Sequence, residues 1–194
     1  SELFLETELE KCKMTEIFSK LLRKKENIVL IGMPSSGKTT IGKALASELG
    51  KGFIDTDDEI VLQEGRDIPE IFKTFGENVF RNMEQQMLDC VLQKDNVVIA
   101  CGGGTPCFFD NMKKIKDNSV SIYLSLNPAS IYSRYANSKR SRPLLEGKSD
   151  EEIKQYITEK LKEREVFYNQ SDIIISSLSV SPDEIAQKIK NFIP

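Results

Sequence analysis

The segment at residues 32–39 reads GMPSSGKT, and it constrains the fold more than any other part of this sequence. It follows an apolar run at 28–31 and precedes a helical pattern that begins near Lys38. Between a strand and a helix, the spacing G-x-x-x-x-G-K-T is typical of a phosphate-binding loop, or P-loop. The alternative is a glycine-rich turn with a chance Gly-Lys pair, and the flanking strand and helix speak against it.

Each part of the P-loop pattern has a chemical purpose. The glycines let successive backbone N–H groups face a polyphosphate at a helix N-terminus, where anions are favoured. Lys38 supplies a cation for the β- and γ-phosphates, and Thr39 supplies a hydroxyl for Mg²⁺. We therefore expect the chain to bind a nucleoside triphosphate. What receives the phosphoryl group has to be read from the rest of the sequence.

The composition fits one α/β domain and argues against several kinds of partner. The chain has 194 residues, enough for one domain with a full core. Its net charge is −3 without a long basic run, so we expect no nucleic-acid partner. No apolar stretch approaches the roughly 18 residues of a membrane span, so we expect no membrane partner.

Cysteine and histidine usage narrows the chemistry. The chain has 4 cysteines without disulfide or zinc-finger spacing, which fits free thiols in a reducing cytoplasm. A metal pair at Cys101 and Cys107 is disfavoured because no further ligand is near in sequence. Since there are 0 histidines, acid–base work falls to carboxylates, lysine or the substrate. No signal peptide is visible, and we expect a cytoplasmic protein.

Apolar strands alternate with helical patterns after residue 26. The predicted strands are 28–31, 53–54, 97–100, 120–124 and 173–175. The predicted helices are 38–49, 59–64, 68–75, 77–93, a segment from about 128, 150–168 and 182–192. This alternation predicts a parallel sheet with helices on both faces. Loops that follow parallel strands share one edge, so the P-loop, the turn at 55–58 and the glycines at 102–104 should meet.

Residues 1–26 form a separate predicted region, a helical N-terminal extension. Apolar residues such as Leu5, Leu9 and Leu22 recur there at helical spacing. The extension packs on the domain, mediates self-association with a partner subunit, or is a linker trimmed from a longer polypeptide. The sequence leaves these three alternatives open.

Asp55-Thr56-Asp57 lies directly after the second predicted strand. Two carboxylates one residue apart can do separate jobs, one facing Mg²⁺ and the other accepting a hydrogen bond from a hydroxyl group. The alternative is a polar turn whose aspartate caps the next helix. Its position one βα unit after a P-loop favours the functional interpretation.

Four further features are candidates for an anion site. Arg81 and Glu84 share one helix face, where the carboxylate would fix the guanidinium for a planar anion; a surface ion pair is the alternative. The glycines at 102–104 follow a buried strand and exceed what a tight turn needs. Arg142 lies in a basic loop at 139–147, which either closes over phosphates or is simply exposed. Arg164 lies on a long predicted helix. Considered alone, its position indicates a solvent-exposed face of that helix.

Together these motifs resemble the shikimate kinase family. They are GMPSSGKTT, DTD, GENVFRNME, GGG, RPLL and EREVFY, in this order, and the resemblance covers about 27–193. The resemblance implies a P-loop three-layer α/β/α fold of the nucleoside-monophosphate-kinase type, with a five-stranded parallel sheet and a mobile lid. It divides the domain at 27–194 into substrate-binding helices at about 57–93 and a lid at about 137–150. It also implies ATP-dependent phosphorylation of the 3-hydroxyl of shikimate, on the route to chorismate and aromatic amino acids.

The resemblance also assigns site residues. It implies nucleotide contacts from Ser35, Ser36, Gly37, Lys38, Thr39, Thr40, Arg134 and Arg142. It implies substrate contacts from Asp57, Arg81, Gly102, Gly103, Gly104 and Arg164. Mg²⁺ would be held by Thr39 and Asp55, and the catalytic residues would be Lys38, Asp57 and Arg142. Ser35 departs from the pattern, because many members have glycine there.

We therefore expect a monomer that binds ATP and shikimate with Mg²⁺. One alternative is another small-molecule P-loop kinase, such as a gluconate kinase, which the combination of DTD, FRNME and GGG disfavours. A second alternative is a silent nucleotide-binding regulatory relative. The presence of Lys38, Asp57 and Arg142 disfavours that alternative.

Overall fold

A computed structural model describes residues 27–137, 149–177 and 181–192. The predicted extension at 1–26 lies outside the described residues. So does most of the predicted lid, including Arg142.

Five parallel strands form one sheet, as predicted. The strands are β1 (Ile28–Ile31), β2 (Gly52–Asp55), β3 (Val97–Ala100), β4 (Val120–Ser125) and β5 (Ile173–Ser176). Their order across the sheet is β2-β3-β1-β4-β5, and every neighbouring pair is parallel. The P-loop therefore follows the central strand, β1. The triple glycine follows the adjacent strand, β3, and the Asp55–Asp57 turn lies at the end of β2, the next strand along.

Seven α-helices lie in the described ranges. They are α1 (Lys38–Leu49), α2 (Thr56–Glu64), α3 (Ile68–Val91), α4 (Asn111–Asn118), α5 (Pro128–Ala136), α6 (Asp150–Tyr168) and α7 (Pro182–Phe192). A single 3₁₀ turn, Thr105–Cys107, follows the triple glycine. None of these helices is both long and apolar enough to cross a membrane, within the part of the chain that the structure describes.

Side-chain alternation along the strands divides the core into two layers. Ile28 and Leu30 of β1 pack with α1 and α7, whereas Val29 and Ile31 pack with the layer that contains α3, α4, α5 and α6. All four β1 side chains are fully buried, which explains why that strand reads as a continuous apolar run. The predicted three-layer α/β/α arrangement is confirmed.

Most helix limits follow from local signals in the sequence. Gly50 caps α1 with a left-handed φ of 63°, as predicted for a glycine after a helix. Gly76 interrupts α3 with φ 80° and ψ 171°, so the predicted break between two helices there is confirmed as a kink. Ser149 and Glu152 form a capping box that begins α6.

Two predictions about the helices were wrong. Helix α2 begins at Thr56, three residues before the predicted start, because the Asp55 side chain caps it. Helix α4 was missed altogether. It has eight residues, and only Asn111, Met112 and Ile115 of these are buried, too few to show a helical period.

Gly42 sets how closely α1 packs on the sheet. A Cβ atom added there would lie 2.5 Å from Cε2 of Phe53 and 3.1 Å from Cδ1 of Leu30. We expect Gly42→Ala to lower the free energy of unfolding by about 1–2 kcal/mol, although alanine favours a helix by about 1 kcal/mol. Urea unfolding measures the change. Ser47→Ala, on the exposed side of the same helix, is the matched control and should be neutral or slightly stabilising. A stabilised Gly42→Ala would contradict the close packing.

Candidate active site

The P-loop presents an uncapped helix N-terminus. Gly37, the residue before α1, has φ 97°, and no side chain hydrogen bond caps this end in the described structure. Lys38 Nζ donates to the carbonyl oxygens of Gly32 and Met33, at 2.9 Å each, which draws the ammonium group back over the loop. The first turn of α1 carries no acidic residue. These features make the loop suited to an anion.

The serines of the P-loop differ in their environments. Ser35 adopts φ 68°, so an L-residue is accommodated at a left-handed position where glycine is favoured. Ser36 is fully buried, and its Oγ has no hydrogen-bond partner in the described part of the protein. Thr40 is exposed at the start of α1. A buried hydroxyl without a partner in this loop is consistent with a donor meant for a ligand oxygen.

Both carboxylate oxygens of Asp55 accept hydrogen bonds at the acidic turn. Its Oδ2 accepts a hydrogen bond of 2.7 Å from Thr39 Oγ1, while its Oδ1 accepts one of 3.1 Å from the backbone N–H of Asp57. The first contact brings a hydroxyl and a carboxylate oxygen together beside the P-loop. The second caps α2. No group of three potential metal-ligating side chains occurs in the described ranges. Two oxygen ligands that leave room for phosphate oxygens and water fit Mg²⁺, which favours such incomplete protein shells.

Asp57 is the most strongly perturbed carboxyl group at this edge of the sheet. Its Oδ1 is buried and has no hydrogen-bond partner among the described residues. Burial, followed by the charges of Glu84 and Asp55, raises the pKa of Asp57 from 3.8 to about 7, and Lys38 opposes the rise. A carboxyl group that titrates near neutral pH can hold or release a proton under physiological conditions.

Gly102 makes room for the two carboxylates. A Cβ atom on Gly102 would lie 2.6 Å from Asp57 Oδ1, 2.6 Å from Glu84 Oε1 and 2.9 Å from Thr105 Oγ1. The Thr105 hydroxyl donates to Glu84 Oε1 at 2.7 Å, which fixes the second carboxylate. Any side chain at this position would displace the acidic pair.

The other two glycines make room for different neighbours. A Cβ atom on Gly103 would lie 2.7 Å from Cδ of Pro34 in the P-loop, and one on Gly104 would lie 2.5 Å from Nη1 of Arg81. The triple glycine thus contacts the acidic pair, the P-loop and the arginine through successive residues. This is the structural reason why three glycines occur where a turn alone would need fewer.

The N–H groups of Gly103 and Gly104 are available to a ligand. The neighbouring backbone bonds run from Thr105 N to Gly102 O and from Cys107 N to Gly104 O. In the described ranges, the amides of Gly103 and Gly104 donate to no protein acceptor. Successive unpaired N–H groups form a small anion-binding concavity.

Arg81 is a buried guanidinium held by two glutamates. Its Nη1 donates to Glu84 at 2.6 Å, and its Nε and Nη2 donate to Glu77 at 3.2 and 2.8 Å. The Arg81 and Glu84 side chains are only 8% and 3% exposed, so the alternative of a surface ion pair was wrong. The Phe108 ring centroid lies 4.3 Å from Arg81 Cζ. An arginine side chain has five N–H donors, and Arg81 uses three of them in hydrogen bonds with described residues. One N–H group on each terminal nitrogen therefore remains to bind a carboxylate.

The Arg81 guanidinium group stays positively charged despite its burial. Burial by itself lowers the pKa of Arg81, but the charges and hydrogen bonds of Glu84 and Glu77 outweigh burial and raise the pKa above its ordinary value. A permanently charged fork in a buried position attracts a planar anion more strongly than an exposed one.

Arg164 approaches the same turn from α6. Its Nη1 lies 3.8 Å from Met33 Sδ. Burial raises the pKa of the Cys107 thiol to about 11, and the nearby charges of Arg164 and Arg81 oppose that rise. Arg164 therefore contacts the P-loop at Met33, whereas Arg81 lies against Gly104 of the triple-glycine turn.

Arg134 is tied to the P-loop by hydrogen bonds. Its Nη1 donates to Ser36 O at 3.0 Å and its Nη2 to Ser177 O at 2.6 Å. The Ser177 hydroxyl donates to the same Ser36 carbonyl at 3.1 Å. This network joins α5, the end of β5 and the nucleotide loop, which is the region where the sequence placed a nucleotide contact.

Several supporting residues were not identified from the sequence. Buried Thr56 accepts a hydrogen bond of 3.1 Å from Gly102 N and so joins the ends of β2 and β3. Glu77 lies four residues before Arg81, a helical spacing that would have revealed it. Phe108 and Thr105 had no comparable signal, because their partners are distant in sequence.

Comparison with known proteins identifies the family. The model of the shikimate kinase family matches residues 34–194. The shikimate kinase of Azobacteroides pseudotrichonymphae genomovar. CFP2 is 42% identical over 168 residues, which cover 86% of this chain and 97% of that protein. The chain belongs to the shikimate kinase family. The predicted resemblance is thereby confirmed, and the matched residues 34–194 span most of the predicted kinase domain.

Solved structures of shikimate kinases agree with this membership. The enzyme from Bacteroides thetaiotaomicron has a TM-score of 0.82 at 35% identity, covering 86% of this chain and 97% of the other. A shikimate kinase from Acinetobacter baumannii, solved in complex with shikimate, has a TM-score of 0.80 at 32% identity, covering 90% and 96%. The alternative of a gluconate kinase is not favoured.

The raised pKa of Asp57 predicts how stability depends on pH. Below pH 3.8 the folded and unfolded chains both hold the proton, so the folded state carries no penalty. As the pH rises toward 7, only the unfolded chain releases it, and stability falls until the folded group ionises. Asp57→Asn removes this loss. We expect the stability of the variant relative to the unaltered protein to increase by about 1–3 kcal/mol between pH 4.5 and 8.

Thermal unfolding without ligands at both pH values measures this difference. Asp58→Asn is the matched control, because it removes the same charge from the exposed neighbouring residue. If both variants show the same pH dependence, the burial of Asp57 is not its cause.

Proposed function

We propose that this chain transfers the γ-phosphoryl group of ATP to the 3-hydroxyl of shikimate, giving shikimate 3-phosphate and ADP. The reaction lies on the route to chorismate and the aromatic amino acids. The contact of Gly103 with Pro34 is the observation that carries the proposal. It supports the proposal because the triple-glycine turn, with its two unpaired N–H groups and a nearby carboxyl group of raised pKa, lies directly against the P-loop.

The donor half consists of the P-loop and the start of α1. Backbone N–H groups and Lys38 would bind the β- and γ-phosphates. Thr39 and Asp55, joined at 2.7 Å, would hold Mg²⁺. Bound there, the metal would neutralise charge on the phosphate oxygens. Arg134, fixed against the Ser36 carbonyl, lies beside this loop and would contribute to the nucleotide site.

The acceptor half would recognise the carboxylate and hydroxyls of shikimate. Arg81 keeps two N–H donors for a planar carboxylate, and Arg164 adds a second positive charge near Cys107. The amides of Gly103 and Gly104 would complete the anion site. Since Glu77 and Glu84 already hold the Arg81 guanidinium, substrate binding orders little more of the protein.

Asp57 is the proposed proton acceptor. Its oxygen at the Gly102 turn lies between the two halves, where the attacking hydroxyl would have to lose a proton. With a pKa near 7, the carboxylate can orient the hydroxyl and take its proton as the O–P bond forms. Lys38 then stabilises the charge on the phosphoryl group in transfer, together with Arg142, which we propose for the lid by sequence alone. Positioning and electrostatics provide most of the rate enhancement in such a transfer.

The direct test measures ADP formation with ATP and Mg²⁺, with and without shikimate. We expect ADP release to depend on shikimate and to be absent with gluconate or nucleoside monophosphates. Asp57→Asn should lower kcat by at least about 10²-fold while ATP binding stays within about twofold. ATP binding without ADP release on any acceptor would support the silent regulatory relative instead.

A second test separates the acceptor site from the nucleotide site. Arg81→Lys keeps the charge but loses the fork, so we expect the KM for shikimate to rise about tenfold and the KM for ATP to stay within about twofold. Arg81→Ala should raise the shikimate KM about 100-fold. Arg66→Ala is the matched control, because Arg66 also pairs with a glutamate four residues away, at 3.4 Å, but on the surface. An equal rise in both KM values for Arg81→Lys would show that Arg81 does not bind the acceptor.

A further inference from the structure

Tyr168, the last residue of α6, is a buried polar group that the proposed reaction does not use. Its side chain is fully buried. Its hydroxyl donates to the carbonyl oxygen of Gly103 at 2.5 Å and lies 3.8 Å from Met33 Sδ. Its ring packs on that of Tyr123, with centroids 5.1 Å apart. Tyr168 therefore contacts the triple-glycine turn and the P-loop at the same time.

The peptide between Gly103 and Gly104 needs an external restraint. Glycine on both sides leaves its orientation weakly determined by sterics, since neither residue has a Cβ atom to forbid a flipped peptide. The contacts with Pro34 and Arg81 restrict where the turn lies, but they are packing contacts and do not select the direction of the C=O bond. The hydrogen bond from Tyr168 does select it.

Fixing the Gly103 carbonyl also fixes the next amide. In a trans peptide the C=O and the following N–H point in opposite directions, and no cis peptide occurs in the described ranges. The Gly104 N–H therefore points away from Tyr168, and Gly104 itself lies against the Arg81 guanidinium. A flipped peptide would present a carbonyl oxygen where an anion has to bind.

We propose that Tyr168 is a positioning residue for the acceptor site: its hydroxyl holds the Gly103–Gly104 peptide so that the Gly104 N–H and Arg81 together face the substrate carboxylate. This inference rests on the proposed function. Arg164 lies one helical turn before Tyr168, so α6 supplies both a carboxylate-binding cation and the group that orients the turn. Burial raises the pKa of Tyr168 above its ordinary value, so the hydroxyl keeps its proton and donates throughout the neutral range.

Tyr168→Phe removes the hydroxyl and keeps the ring. Tyr123→Phe is the matched control. Its ring packs against that of Tyr168 at a tilt of 42°, it is also buried, and its hydroxyl donates to Glu165 Oε1 at 3.5 Å instead of contacting the turn. For both variants, initial rates are measured with shikimate varied at saturating ATP and with ATP varied at saturating shikimate. Thermal unfolding is recorded alongside. The chain has 0 tryptophans whose fluorescence could report binding, so the Kd for shikimate is measured by isothermal titration calorimetry.

We expect Tyr168→Phe to raise the KM and the Kd for shikimate by about three- to tenfold, the factor that one hydrogen bond contributes to an equilibrium, and to leave the ATP KM within about twofold. Tyr123→Phe should leave both KM values within about twofold. The inference is overturned if the shikimate KM of Tyr168→Phe stays within twofold of the unaltered protein. It is also overturned if both variants raise both KM values in proportion to their loss of thermal stability.

The same experiment separates failure of the inference from failure of the proposed function. If the unaltered protein releases no ADP with shikimate, the proposed function fails, and Tyr168 has no acceptor to position. If the unaltered protein is active and Tyr168→Phe matches it in both KM values, only the inference fails.

Discussion

The close packing of the P-loop, the acidic turn and α3 against the turn at Gly102–Gly104 is the constraint on which the proposed site depends. Without Cβ atoms, this turn contacts the acidic pair, Pro34 of the P-loop and the Arg81 guanidinium through successive residues. A side chain at any of the three positions would come within 3.0 Å of one of these groups. The parallel sheet brings the segments to one edge, and the missing side chains let them touch. The proposed nucleotide and acceptor sites are therefore adjacent because of packing at a single turn.

Negative and positive side chains lie close together at this edge of the sheet. Asp55, Asp57 and Glu84 gather around the end of β3, and their mutual repulsion together with burial raises the pKa of Asp57 to about 7. Lys38 and Arg81 offset part of that charge. An arrangement of this kind costs folding free energy in the empty protein and is relieved when ligands bind, a common property of active sites. The same balance gives one carboxyl group a pKa suited to proton transfer.

Much of the fold followed from local pattern. The apolar runs gave the five strands, Gly50 and Gly76 marked a helix end and a kink, and the P-loop spacing located the nucleotide loop. Helix α4 was missed because only Met112 and Ile115 among its eight residues are apolar, too few for a helical pattern to be recognised in the sequence. The acidic turn allowed two interpretations that excluded each other on paper. In the structure one Asp55 oxygen caps α2 while the other accepts a hydrogen bond from Thr39, so the cap is compatible with the proposed Mg²⁺ role.

The sequence by itself determined the five strands, all described helices except α4, the P-loop and the family, because these depend on spacings within a few residues or on motifs read in order. Only the tertiary structure decided which polar residues support the site. The burial of the Arg81–Glu84 pair, the hydroxyl of Thr56 on Gly102 and that of Tyr168 on Gly103 join residues that are 3, 46 and 65 positions apart. Thr56 and Gly102, like Tyr168 and Gly103, are too far apart in sequence for any helical or strand spacing to predict their contact. The spacing of Arg81 and Glu84 predicts their contact, but it does not predict the packing that buries the pair. Burial distinguishes this ion pair from an ordinary one on a helix surface and underlies its proposed role in anion binding, and burial is a property of the folded chain.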